Sequence, residues 1–258
     1  MGRVLRPGPG SIEGLRWLAR VGPAPLEAWR CAMGWSEVAT RNHARRLERE
    51  GWLERHPMTR GQGSLFIATR TGVAVLGISV RAAGPPAPTW WAHHCGCAWA
   101  AAWLTARGRE LLGGRELLEA PAWSGEIRWH DHKGYHRSGH RPDLVVLRNG
   151  GRIAVEVELA QKSAERLKAI IGLHARWRAA RATGGVIYIC ADEDGCDRIR
   201  TIAERTGLLA MRGGGLRVEL LDTIRAQALA ACERTRANRA GARPGVGSTA
   251  VPAVAHGS

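Results

Sequence analysis

The 258 residues carry 38 Lys and Arg against 23 Asp and Glu, a formal charge of +15, and 45% of them are apolar. That apolar share excludes a wholly disordered chain and suffices for a core in each of two modules, while no apolar run is long enough to span a membrane. All the bases except Lys133, Lys162 and Lys168 are arginines, the side chain that grips phosphates and base edges through paired hydrogen bonds, so double-stranded DNA is the expected partner.

A membrane surface would also attract this charge, but no basic amphipathic helix with a broad apolar face is readable. The plain alternative is an arginine-rich surface with no polyanionic partner. Six scattered cysteines and no leader segment predict a reduced, cytoplasmic and nucleoid-associated setting without disulfides.

Residues 1–10 are rich in Gly and Pro and are expected to be flexible. Residues 11–82 read as three helices and a hairpin. Ile12, Leu15, Leu18 and Ala19 mark one apolar face, Leu26 and Trp29 begin a second helix, and Ser36 is placed to cap a third, over 36–50. That third helix is expected to turn Val38, Ala44 and Leu47 inward and to offer Thr40, Arg41, His43, Arg45 and Arg49 to DNA. GWLERHP and SLFIATR then form strands around the turn TRGQG, with Arg55 and Arg60 on the hairpin. Helix, turn, arginine-bearing helix and Gly-tipped hairpin is the order of a winged helix-turn-helix, in which a helix enters the major groove and the wing reaches neighbouring phosphates. A merely solvated arginine face, or a winged helix that contacts only protein, is the competing reading. Winged helices commonly pair, so a homodimer is kept open, although no coiled-coil seam is readable.

AGPPAP at 83–88 marks a linker over 83–91, and 92–225 form a second module. A helix is expected from Trp90 to Leu112. The stretch HDHKGYHRSGHRPD, with His130, His132, His136 and His140, reads as a mobile basic loop able to hold a phosphate. RPDLVVLRNGGRIAVEVEL reads as two strands joined at Asn149-Gly150-Gly151. A helix over 163–181 with Leu167, Ile170, Ile171 and Trp177 inward, a buried strand in GGVIYICA, a helix over 194–206 and a strand over 216–220 complete an α/β (α+β) pattern. Residues 226–258, small, polar and Arg-rich, are expected to form a disordered basic tail.

Asp143 opens one strand of the hairpin, while Glu156 and Glu158, two apart, share a face of the other. Buried acids on adjacent strands need a neutralising partner, and Mg²⁺ or Mn²⁺ held by Asp143, Glu156 and Glu158 would serve. Such an ion activates water at a phosphodiester, a reaction in which Lys162 is placed to help and Glu126 is a fourth candidate acid.

RPD at 141–143, VEVELAQKS at 155–163, WSGE at 123–126 and a His-led helix from His93 or His94, behind a winged helix, resemble the replication-relaxation family of actinobacterial plasmids and integrative elements. The resemblance covers about residues 11–225. It implies a DNA-binding protein of a mobile element, with a mixed sheet flanked by helices as in the PD-(D/E)XK nucleases. Asp143 and Glu156 match that superfamily's acids, and Glu158 stands where it usually has Lys. Lys162 is either a relocated substitute or a surface residue, which leaves two readings: a metal-dependent endonuclease, or a non-enzymatic regulator or replication accessory factor with a degenerate nuclease fold.

Zinc is not expected, because His93, His94, Cys95 and Cys97 do not have knuckle spacing. A nicking relaxase is a poor match, since His130 and His132 flank an acid and Tyr135 lies in the same loop. The tryptophans read as packing residues.

Overall fold

The computed structural model describes residues 7–59, 61, 63–148, 151–209 and 215–241. The chain is an α/β protein, with three sheets among the described residues. In the first part α1 (Pro9–Val21) is followed by β1 (Ala24–Pro25), α2 (Leu26–Met33), α3 (Glu37–Arg49), β2 (Leu53–Pro57), β3 (Ser64–Ala68) and α4 (Arg70–Leu76). The three strands pair antiparallel in the order β1-β3-β2. Gly34, at φ 60, ends α2 in the left-handed conformation that glycine adopts without strain. Ser36 Oγ then accepts the Ala39 N–H at 3.1 Å and starts α3.

The rotation of α3 differs from expectation. Thr40, Ala44 and Leu47 are buried, whereas Val38 is 69% exposed. Positions 38 and 44 are six residues apart, about 1.7 turns, and so fall on opposite sides; 40, 44 and 47 share one stripe.

Residues 78–87 run without regular structure to α5 (Trp91–Thr105). The expected helix to Leu112 stops at Thr105, and Glu110–Leu112 form β4 instead. Next come α6 (Gly114–Leu118), β5 (Gly125–Asp131), β6 (Gly134–His140), β7 (Leu144–Arg148), β8 (Gly151–Glu158), α7 (Ala164–Ala179), β9 (Gly185–Cys190), α8 (Glu193–Arg205), β10 (Leu216–Leu220) and α9 (Leu221–Gly241). The main sheet has the order β10-β9-β8-β7-β4, parallel from β10 to β8 and antiparallel from β8 to β4. Asn149 and Gly150 of the expected turn lie outside the described residues; the register sets Arg148 opposite Gly151.

One face of the sheet, with Leu144, Val146, Val155, Val157, Ile187 and Ile189, shares a core with the small residues and tryptophans of α5. The same core continues into α1 and α2, so one apolar interior joins the first part of the chain to the sheet. The opposite face packs Ala154, Val186 and Tyr188 against Leu167 and Ile171 of α7 and Ile199 and Ile202 of α8.

Two further expectations are corrected. The His-rich stretch is a regular hairpin, not a mobile loop: β5 and β6 pair from Gly125↔His140 to Asp131↔Gly134, Ile127 is buried against Ile170 and Leu173, and Trp129 stacks on His136. A single inward apolar residue was too little for a sequence periodicity, yet α7 supplies the surface that receives it. Residues 226–241 are helical, not a disordered tail; Ile224, Ala228, Ala231 and Cys232 of α9 are buried in the core shared with α2 and α5. Small side chains make a weak apolar stripe, but they let α9 lie close against the equally small residues of α5. Residues 242–258 lie outside the description.

Candidate active site

Asp143 and Glu156 meet where β7 and β8 begin and end. The register sets Leu144 opposite Val155, and the Asp143 N–H donates to the Val155 carbonyl at 3.0 Å, which brings Asp143 beside Glu156. The Val157 N–H donates to Asp143 Oδ2 at 2.7 Å and fixes that carboxylate. Its other oxygen, Oδ1, lies 3.1 Å from His93 Nε2, and Cys97 Sγ lies 3.5 Å from the same nitrogen. His93 and Cys97 are one turn apart on α5, so both reach the same point.

Glu156 is 6% exposed, and its Oε1 receives two imidazoles, His140 Nε2 and His174 Nε2, each at 2.8 Å. Burial alone pushes this carboxyl up, but the charge and hydrogen bonds of His140 and His174 outweigh it and hold the pKa at about 2. His140 answers in the opposite sense: burial lowers it, and Glu156 raises it further than burial lowers it. Glu158 turns to Lys162, with which it forms an ion pair. Burial raises the Glu158 carboxyl above its ordinary range despite Lys162, and its Oε1 is buried without a hydrogen-bond partner.

His93 is raised, because the Asp143 bond and charge outweigh desolvation, whereas desolvation and the neighbouring His93 lower His94 to about 4. Burial and the two carboxylates push the Cys97 thiol well up. A cleft of about 650 Å³ is lined by the Pro-rich segment at 83–87 and by His93, His94, Cys97, His140, Arg141 and Asp143, among others.

No family model matches the sequence, and no curated protein matches it. Among solved structures, protein VC1899 from Vibrio cholerae is similar over 90% of this chain at 11% identity and a TM-score of 0.31, a likeness too loose to transfer any residue. This chain spans 58% of that protein's length.

The three acids expected to share one ion do not converge. Asp143 faces His93 and Cys97, Glu156 faces His140 and His174, and Glu158 faces Lys162. Glu126 is a correction: it lies on the β5–β6 hairpin and pairs with Arg128 on its own strand and Arg137 on the partner strand, which occupies both oxygens. On α3, Arg41, Arg45 and Arg49 are exposed, with Arg41 paired to Glu37. Thr40 is a second correction, because it is buried with its hydroxyl donating to the Ser36 carbonyl at 2.8 Å. His43 is a third: it is bound to Ser11 Oγ at 2.8 Å and stacked on Trp35, so it braces α3 against α1. Arg55, on β2, is exposed and donates to Ser64 Oγ, and Arg60 lies outside the described residues.

Sequence reasoning missed His174. It falls at the next inward position after Leu167, Ile170 and Ile171, the one polar member of an apolar stripe, and it is 1% exposed. A buried histidine in such a stripe needs a partner, which was the readable signal. The pairing of His93 and Cys97 with Asp143 had no local signal, because they lie about 50 residues away in the chain.

Proposed function

We propose that this protein binds double-stranded DNA through α3 and the β2–β3 hairpin, and presents the backbone to a metal-dependent phosphodiesterase centre at Asp143 and Glu156, serving a plasmid or other mobile element. One observation carries the reading: Arg41, Arg45 and Arg49 follow one another at single-turn spacing on an exposed line of α3, and Arg45 and Arg49 have no ion-pair partner among the described residues. Such a line of guanidinium groups suits phosphates and guanine edges in the major groove. The sheet order β1-β3-β2, with α3 ahead of the hairpin, supports treating the first part as a winged helix. The succession of α5, three antiparallel strands, α7 and the parallel strand β9 supports a nuclease-like second part.

Mg²⁺ or Mn²⁺ fits the donor set in part. Asp143 and Glu156 stand on neighbouring strands and Glu158 Oε1 is buried without a hydrogen-bond partner, but the three carboxylates face different partners. When bound, such an ion supplies Lewis acidity and an activated water. Asp143 is held in place by the Val157 N–H, and His140, which lines the cleft and is bound to Glu156, would be the group to exchange a proton with a bound phosphate. A non-enzymatic DNA-binding role is the second reading. It is favoured by the ion pair that ties Lys162 to Glu158 and by the two histidines that already occupy Glu156.

Fluorescence anisotropy with a labelled duplex over a salt series tests the reader. Replacing Arg45 and Arg49 together by Ala is expected to weaken binding and to lower the salt slope by about 2; an unchanged slope rejects α3 as the contact. Cleavage of supercoiled DNA with Mg²⁺ or Mn²⁺ tests the centre, and cutting that is equal in the parent and Asp143→Ala rejects it.

A further inference from the structure

Two groups of metal-ligating side chains lie around the acids: His93, Cys97 and Asp143, and His140, Glu156 and His174, the ligand atoms within each group all being within 4.8 Å of one another. Their geometries are of different kinds. Around a tetrahedral zinc, bond lengths of about 2.0–2.1 Å to nitrogen and oxygen and about 2.3 Å to sulfur put the ligand atoms about 3.3 Å apart for N and O and about 3.6 Å apart for S and N. The two nitrogens on Glu156 stand at 2.8 Å from one oxygen, too close for those edges and right for hydrogen bonds. His93 Nε2 stands 3.1 Å from Asp143 Oδ1 and 3.5 Å from Cys97 Sγ, close to both edges.

A single imidazole nitrogen also has only one site, either a proton or a lone pair. If Nε2 donates to Asp143, it has no lone pair for the Cys97 thiol, and the sulfur can only accept weakly from the same N–H. A cation at their centre would bind all three groups at full strength. The supports are in place as well: Asp143 is oriented by the Val157 N–H through its second oxygen, and both α5 ligands sit on a helix locked into the main core.

We infer that His93, Cys97 and Asp143 form a site for a late first-row divalent ion of the zinc class, with its fourth position open to the cleft. Thiolate and imidazole favour such an ion over Mg²⁺, which prefers carboxylate and water oxygens. Three protein ligands facing an open cavity is the arrangement that leaves room for water or an anionic oxygen, and Arg115 and Arg141 line the same cleft. The Cys97 proton leaves to solvent as the thiolate takes the metal. The inference goes beyond the nuclease reading and shares only Asp143 with it.

The test uses the full-length protein, stripped with a chelator and titrated with Co²⁺ in the absence of DNA. One equivalent is expected to produce a thiolate-to-cobalt charge-transfer band and the strong visible bands of a tetrahedral site, both bleached by one equivalent of Zn²⁺ and unaffected by excess Mg²⁺. Cys97→Ser is expected to lose the charge-transfer band and to weaken Zn²⁺ binding by on the order of tenfold or more, while Cys95→Ser keeps both. Should Cys97→Ser fail to fold by circular dichroism, His93→Gln, on the half-buried end of α5, is expected to weaken binding likewise. A parent without the band, a band that survives both substitutions, or displacement by Mg²⁺ overturns the inference, whatever the outcome of any Mg²⁺-supported cleavage assay.

Discussion

His174 Nε2 lies 2.8 Å from Glu156 Oε1, between an imidazole 1% exposed and a carboxylate 6% exposed. This contact joins α7 to β8 beneath the cleft, and His140, from the end of β6, closes on the same oxygen. Three separate elements, β6, β8 and α7, are therefore pinned at one buried charge, whose cost is offset only while its partners stay.

The pH dependence of stability follows from that pinning, with chelator present throughout. Glu156 is held near 2 against an ordinary 4.5, so its stabilisation is complete above about pH 4.5 and is lost as the pH falls towards 2. His140 is raised above its ordinary 6.5, so its stabilisation is complete below that value and is lost as the pH rises through the higher one. Urea unfolding of Glu156→Gln is expected to show a loss of about 1–3 kcal/mol near pH 5.5 and a flatter profile on both sides. A profile parallel to the parent's would show that this carboxylate does not govern the curve.

The docking of α9 is expected to be a major stabilising contact. Ile224 is fully buried, and the flanks of the helix are tied down by Arg30 to Glu233 and Arg225 to Glu27. Ile224→Ala is expected to cost about 2–4 kcal/mol in urea unfolding. A change within error would mean that Ile224 is not packed in this core.

Close backbone approach joins the two parts of the chain at Gly113. A Cβ there would stand 2.1 Å from the Arg20 carbonyl oxygen, an atom at the end of α1 that cannot swing away as a side chain would. Gly113→Ala is expected to cost about 1–3 kcal/mol, seen as a lowered melting temperature. Gly51→Ala is the contrasting case. There a Cβ meets nothing within 4 Å, and only the positive φ of 67 opposes it, so the smaller cost of a strained turn is expected.

Local order fixed several features in advance. Ser36 caps α3 because its hydroxyl is one residue ahead of the first helical N–H groups, and β7 and β8 pair because apolar runs lie on either side of the turn-forming sequence Asn149-Gly150-Gly151. Asp143 and Glu156 therefore become neighbours through a hairpin register that spans only 14 residues. The α/β class follows from the same periodicities. What each acid faces was settled elsewhere. His93 and Cys97 reach Asp143 only because α5 packs across the sheet, and His174 reaches Glu156 only because α7 covers the other face. The inward side of α3 and the docking of α9 depended likewise on surfaces supplied by α1, α2 and α5. Sequence spacing governs contacts within a turn or a hairpin, where the chain itself sets the distance. Contacts across layers are selected by burial, which acts on the assembled surface and leaves no local pattern to read.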